Sequence, residues 1–391
     1  MPLPDSMREL VIDGNSLTIR DVVDTGLGLT KVVLSESARE KMSVSREAVV
    51  EILKTGTVTY GINTGFGALS SVSIMPDKLE QLQANLIRSH SCGIGEPMEN
   101  RHTLMMMLIR ANTLCRGNSG ARPTIVDTLI SMINHGICPV IPRIGSLGAS
   151  GDLAPLSHLA LGMMGEGECN IRNETGEWSS LPSIEALGKY GITPIVPAAK
   201  EGLSLINGTS QMCAFMCEAL YNLDILCFAS DASVACTVEA IRGSHKPFDP
   251  RIHNSRPHPG QTLSAARISS LLENSEIKIS HLNCDRVQDA YSIRCSPQVH
   301  GPVIDMLRES RRILEIEINS STDNPLVFTE GGSTEVISGG NFHGQYIALS
   351  SDSISIACHE LASISERRIN QILDPKWSGQ SAFLANNEGL E

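Results

Sequence analysis

The sequence predicts a mainly α protein in which a globular N-terminal domain, residues 1–205, feeds a bundle of long helices, residues 206–391. From Thr209 to Ile241 the chain runs 33 residues without proline or glycine. As one helix at 1.5 Å per residue, that stretch would span about 50 Å. Ser296–Asn319 and Gln345–Leu373 have a similar texture, and helices of this length need each other's apolar faces to survive in water. The first half, by contrast, is broken often by Gly and Pro.

Taken in order, Glu9–Ile12 predicts a short strand. Pro76–Ser89 predicts a helix, because Leu79, Leu82 and Leu86 share one face and Pro76 stands at a favoured first-turn position. Arg101–Arg116 and Thr124–His135 follow the same pattern, the second stopped by Gly136. Ile137–Ile141 predicts another strand, and Pro325–Ile337 a β-hairpin between the last two long helices.

Composition narrows the function. A net charge of −12 argues against nucleic acid or an anionic membrane as partner. Eleven cysteines at irregular spacing, with no Cys-x-x-Cys pair, suit reduced thiols in the cytoplasm. Cys213 and Cys217 fall in an apolar helical run and predict core residues. Met1–Ser6 carries no basic or apolar leader segment. Glu218, Asp224, Asp231 and Glu239 interrupt the apolar run after Met212, so it predicts a buried helix and not a membrane span. The histidines form no metal-binding spacing, and Gly26-Leu27-Gly28 and Gly65-Phe66-Gly67 lack the third glycine of a dinucleotide fingerprint. No metal and no nucleotide cofactor is expected.

The stretch that carries chemistry is Gly145-Ser146-Leu147-Gly148-Ala149-Ser150-Gly151-Asp152-Leu153-Ala154-Pro155-Leu156. If the amide nitrogen of Gly151 attacks the Ala149 carbonyl and two waters leave, the backbone becomes a methylidene-imidazolone ring, an electrophile no ordinary side chain provides. Gly151 has no Cβ to obstruct the closure. The Asp152 carboxylate is placed to assist proton removal. An isolated Ala-Ser-Gly triplet is usually only a loop, and the spacing does not match the Gly-x-Ser-x-Gly elbow of a serine hydrolase.

The twelve-residue context resembles the signature of the aromatic amino acid lyases, that is, the histidine, phenylalanine and tyrosine ammonia-lyases and their aminomutase relatives. Separated stretches extend the resemblance in the family's order: Tyr60 to Gly67, Asn207-Gly208-Thr209, Gln288 to Arg294, Thr322 to Pro325, and Gly339 to Gly344. It runs from about residue 9 to the last residue. It implies a fold of the fumarase/aspartase-like superfamily, a homotetramer built on the long bundle, and no external cofactor beyond the ring formed from Ala149, Ser150 and Gly151.

The resemblance also implies roles. Tyr60, in a mobile Gly-rich loop, would as a phenolate take the β-proton; read alone it is a turn residue. Arg294 would grip the substrate carboxylate with its planar fork; read alone it is an ordinary ion-pair residue. Asn207, otherwise a plain N-cap, would donate to the electrophile's carbonyl oxygen. Gln288, Tyr291 and Arg294 recur every three residues, so one helical face would carry all three. Phe342 would pack near the electrophile and exclude water. Asn324, with Asp323, would combine turn and site roles.

The pair Ser89-His90, near the end of the Pro76 helix, stands where the family tunes its aromatic pocket. A serine followed by histidine resembles the histidine-specific members, and His90 can hydrogen-bond a substrate imidazole. The substrate expected is L-histidine, with trans-urocanate and ammonia as products. The alternatives are a tyrosine or phenylalanine ammonia-lyase or 2,3-aminomutase, and an inactive short isoform that only assembles with other subunits. The family continues beyond the position of Glu391 into a further helix and a Glu-bearing loop, so residues 1–391 alone are expected to assemble poorly and turn over little.

Overall fold

The computed structural model describes residues 7–65, 67, 72–173, 175–280, 287–329, 331, 333–387, 389 and 390. The start at Met1–Ser6, Phe66 of the tyrosine loop, and Glu330 and Gly332 of the expected hairpin lie outside them.

Packing divides the chain into two compact units, Met1–Glu218 with Ile313–Ala348, and Ala219–Arg312 with Leu349–Glu391. The first unit thus takes in residues 313–348, beyond a simple division at 205/206. It opens with strand Arg8–Ile12, helix Ile19–Gly26 and strand Thr30–Leu34, the two strands pairing in parallel. Thr18 starts the helix with a capping box, its hydroxyl accepting from the Asp21 N–H while the Asp21 carboxylate accepts from the Thr18 N–H. The expected strand at Glu9–Ile12 is present; its parallel partner was not foreseen.

Helix Asn100–Cys115 forms the centre of this unit. All of its residues from His102 to Cys115 are buried, so the helix is packed all round, its polar members such as Arg110 and Asn112 included. Helices Leu79–His90, Pro123–Asn134 and Leu153–Met163 belong to the same unit. A three-stranded antiparallel sheet joins Ile137–Pro139, Glu168–Arg172 and Trp178–Pro182. The hairpin arrives as expected, Leu326–Phe328 pairing antiparallel with Glu335–Ile337.

The second unit is built from the later turns of helix Ser210–Ala240, helix Pro259–Leu271, most of helix Ser296–Glu317, and helix Gln345–Leu373 from Leu349 onward. Val234, Val238, Phe248, Ile268, Leu272 and Ile293 form its core, with Trp377 packed on it. Pro302 lies inside the third of these helices, so the run is less uniform than its apolar content suggests. Residues 201–240 are long and apolar enough to cross a membrane by length and composition. However, Asp231 is buried there and accepts hydrogen bonds from Ser264 and His300, as a core helix would arrange it. Cys213 and Cys217 are fully buried, as expected.

Candidate active site

The Ala-Ser-Gly tripeptide occupies a tight turn between strand Pro142–Ile144 and helix Leu153–Met163. Gly148–Ser150 is one 3-10 turn, and the Gly151 N–H closes it on the Gly148 carbonyl at 2.9 Å. Gly151 has φ +98°, and a Cβ there would stand 3.0 Å from the Gly208 carbonyl oxygen and 3.2 Å from that of Phe342. Only glycine fits between those two carbonyls.

The clamp has two sides. On one, the Gly344 N–H donates to the Ala149 carbonyl at 2.8 Å, withdrawing electron density from the carbon that a ring closure would attack. On the other, the Asp152 N–H donates to the Gly208 carbonyl at 2.8 Å. Ser150 itself is exposed. A sharp, glycine-ended turn with a polarised Ala149 carbonyl and an adjacent carboxyl group fits the cyclisation chemistry.

Asp152 is buried. Its carboxyl accepts from Ser146 Oγ at 2.6 Å, and from the N–H groups of Gln211 at 2.7 Å and Met212 at 3.0 Å, at the start of helix Ser210–Ala240. Burial pushes its pKa up to about 6, against the pull of Ser146, the two N–H groups and Arg110. The folded state therefore keeps a proton that the unfolded chain releases near the ordinary value of 3.8. Stability from this group is complete below about pH 4 and is lost as the pH rises to about 6. The permanently neutral Asp152→Asn variant should match the wild type below that window and exceed it above by up to about 3 kcal/mol. Urea midpoints of the two proteins measured across the window check this; a pH-independent difference contradicts it.

Asn207 does not start a helix. It ends helix Glu201–Ile206 as its C-cap, and helix Ser210–Ala240 begins three residues on. The N-cap reading fails because Gly208 and Thr209 intervene. The Thr209 hydroxyl donates to Glu317 at 2.7 Å. The Asn207 amide instead reaches the Asp323 carboxylate and the Asn324 carbonyl, each at 3.5 Å. The Asn324 side chain is already engaged, accepting from the Gly339 N–H at 2.7 Å and from Ser338 Oγ at 3.3 Å. It ties off the hairpin and does not stand free.

Tyr60 is half-buried in a turn beyond helix Glu36–Thr55. The next residue, Gly61, packs so closely that a Cβ would lie 2.8 Å from Pro325 Cδ and 3.3 Å from Leu203 Cδ2. This brings the tyrosine turn against the Asn324–Pro325 segment. Phe342 is half-buried and approaches the tripeptide through its backbone carbonyl.

His90 is the last residue of helix Leu79–His90. Its Nδ1 lies 2.9 Å from the Leu86 carbonyl oxygen and 3.1 Å from Ser89 Oγ. A carbonyl can only accept, so Nδ1 carries a proton, which in the neutral tautomer leaves Nε2 as an acceptor. Gly93, three residues on, has its Cα 3.4 Å from the Cβ position of Gly145. The His90 segment thus packs against the start of the signature loop.

Gln288, Tyr291 and Arg294 lie in the second unit. The expected shared helical face is corrected: the helix is only Tyr291–Arg294, and Gln288 precedes it outside any helix or strand. Gln288 and Arg294 still meet. With its oxygen turned to the guanidinium, the Gln288 amide accepts from Arg294 Nε at 3.1 Å and Nη2 at 3.2 Å. The Arg294 guanidinium carbon also lies 5.5 Å from the centre of the exposed Tyr291 ring.

Sequence reasoning missed two buried cations. Lys200 is wholly buried and donates to the Asp323 carboxylate at 2.7 Å and to Ser204 Oγ at 3.1 Å. Burial lowers its pKa and Asp323 opposes the shift. Removing one partner of such a pair costs about 3–5 kcal/mol, so the pair anchors the turn that faces Asn207. Arg110 is also wholly buried. The available signal was a basic residue amid the apolar run of helix Asn100–Cys115.

Residues 17–391 match the family model described as aromatic amino acid lyase. The chain belongs to the aromatic amino acid lyase family. It is 48% identical over 386 residues to a histidine ammonia-lyase of Caldanaerobacter subterraneus, covering 98% of this chain and 74% of that protein. Against a histidine ammonia-lyase of Myxococcus xanthus it is 44% identical, with the same coverage. Among solved structures, a histidine ammonia-lyase of Trypanosoma cruzi superposes with TM-score 0.88 at 41% identity, covering 98% of this chain and 71% of that one. A tyrosine aminomutase of Streptomyces globisporus does so with TM-score 0.88 at 35% identity, covering 98% and 74%. The lyase fold is thus the mainly α, fumarase/aspartase-like architecture expected from the sequence.

Proposed function

We propose that this chain is an ammonia-lyase that converts L-histidine to trans-urocanate and ammonia, at an electrophile formed from its own Ala149, Ser150 and Gly151. The observation that carries the reading is the clamped tripeptide, with Gly151 confined between two carbonyls and the Ala149 carbonyl hydrogen-bonded to Gly344.

The cyclised tripeptide supplies a neutral electrophile that draws electron density from the substrate, so that a barely acidic β-proton and a poor leaving group can both depart. The other residues bind, orient and move protons. Tyr60 takes the β-proton, carried by a turn that can close over substrate. Arg294, held by Gln288, pairs with the substrate carboxylate, and Tyr291 stands beside it. Asn207 donates its amide toward charge developing on the electrophile. Phe342 excludes water, and Asn324 holds the turn on which Asn207 leans.

His90 sets the substrate. Its bare Nε2 accepts from an N–H of the substrate imidazole, an interaction that L-phenylalanine cannot make. L-tyrosine is the competitor, because a phenol can also donate to Nε2. The enzyme works in the cytoplasm as a homotetramer. Exposed apolar side chains such as Leu226 and Phe228 on one long helix, and Leu349 and Ile356 on another, support an assembled state.

The test offers L-histidine, L-tyrosine and L-phenylalanine to the purified protein, expressed at the full length of its source gene, without added metal or nucleotide, following the unsaturated product by near-ultraviolet absorbance. L-histidine should give the highest kcat/KM. Faster turnover of L-tyrosine would overturn the substrate assignment.

A further inference from the structure

We propose that Arg110 is a positioning residue for ring closure at Ala149–Gly151, holding the Asn207–Gly208 segment as the strut against which Gly151 is compressed. The inference rests on the electrophile reading above. Arg110 projects from the buried helix Asn100–Cys115, and its Nη1 donates to the Asn207 carbonyl. The next carbonyl along, that of Gly208, accepts the Asp152 N–H at 2.8 Å and stands 3.0 Å from the Cβ position of Gly151. The guanidinium therefore fixes one peptide whose neighbour presses on the tripeptide. The opposite side is fixed independently, by the Gly344 N–H on the Ala149 carbonyl.

Stability alone does not explain this arginine. Its Nε and Nη2 are buried without a hydrogen-bond partner among the described residues, and an uncompensated buried polar group is unfavourable. Three neighbours on the same helix, Met105, Met106 and Met107, are fully buried and apolar. Two carboxyl groups, those of Asp152 and Asp323, are close enough to act on its charge. Arg110 thus sits behind the tripeptide, joined to it through Asn207, Gly208 and Asp152, without touching the reacting atoms.

The step it serves balances without a redox partner. The Gly151 nitrogen bonds to the Ala149 carbonyl carbon, and its proton passes to the carbonyl oxygen. That oxygen leaves as water with the Ser150 amide proton, forming the ring C=N bond. A second water, from the Ser150 hydroxyl and the Ser150 Cα–H, leaves the exocyclic double bond. Compressing the turn shortens the first approach, and small misplacement there costs on the order of 10–10²-fold in rate.

The test follows the tryptic peptide Ile144–Arg172 by mass in freshly made protein over time, with circular dichroism to confirm folding. The wild-type peptide should lose two waters, about 36 Da. Arg110→Met, which replaces a buried charge by an apolar side chain of similar reach, should fold and lose them on the order of 10–10²-fold more slowly. Arg110→Lys, able to donate one bond to the Asn207 carbonyl, should fall between the two. Folded Arg110→Met that dehydrates at the wild-type rate would overturn the role of Arg110. Where Arg110→Met does not fold, Arg110→Lys decides: a slowed loss supports the role and a wild-type rate overturns it. A wild-type peptide that keeps both waters would overturn the electrophile itself, an outcome distinct from failure of Arg110.

Discussion

Replacing Ser150 by alanine should lower turnover of L-histidine by on the order of 10⁴-fold or more, the scale seen when one member of a catalytic unit is removed. The fold should survive. Ser150 is exposed, and its hydroxyl has no hydrogen-bond partner among the described residues, so the substitution should change stability by less than about 0.5 kcal/mol. The loss is chemical. Alanine can still join Gly151 to Ala149 and release one water, but it has no hydroxyl to eliminate and forms no methylidene carbon. Steady-state kinetics with a thermal melt separates the two effects. Near-normal kcat in a well-folded Ser150→Ala protein would reduce the tripeptide to a loop.

His90→Leu should lower kcat/KM for L-histidine by roughly 10²-fold, because a substrate N–H left unpaired in a buried site costs about 1–3 kcal/mol. The helix should tolerate the change. His90 ends it, and the bond from Nδ1 to the Leu86 carbonyl caps its own last turn. The variant should also shift selectivity toward L-phenylalanine, whose ring then meets an apolar wall. A parallel loss on all three amino acids would mean that His90 supports the pocket without reading the substrate.

Two of the long helices were legible because they hold no Pro or Gly to compete with helix. Gln345–Leu373 spans the residues expected, and Ser210–Ala240 differs from expectation by one residue at each end. The parallel pair Arg8–Ile12 and Thr30–Leu34 was half legible: the first strand shows, but its partner lies across a helix, and a single sequence carries no signal for that pairing. The three-residue spacing of Gln288, Tyr291 and Arg294 misled because the helix is only four residues long and Gln288 reaches Arg294 from outside it. Spacing could place Asn207 near a helix boundary but not on which side, and the structure makes it a C-cap. Arg110 and Lys200 stayed hidden because their partners, the Asn207 carbonyl and Asp323, are distant in sequence. The Ala-Ser-Gly tripeptide and its glycine-ended turn were visible in the residues; the carbonyls of Gly208 and Phe342 that confine it were not.

The most direct test is the mass of the Ile144–Arg172 peptide taken from a preparation that is turning over L-histidine. If Ala149, Ser150 and Gly151 form the electrophile, that peptide should lie about 36 Da below the mass of its residues, with fragmentation placing the loss within the tripeptide. The same peptide at full mass, in protein that releases urocanate at an undiminished rate, would contradict it.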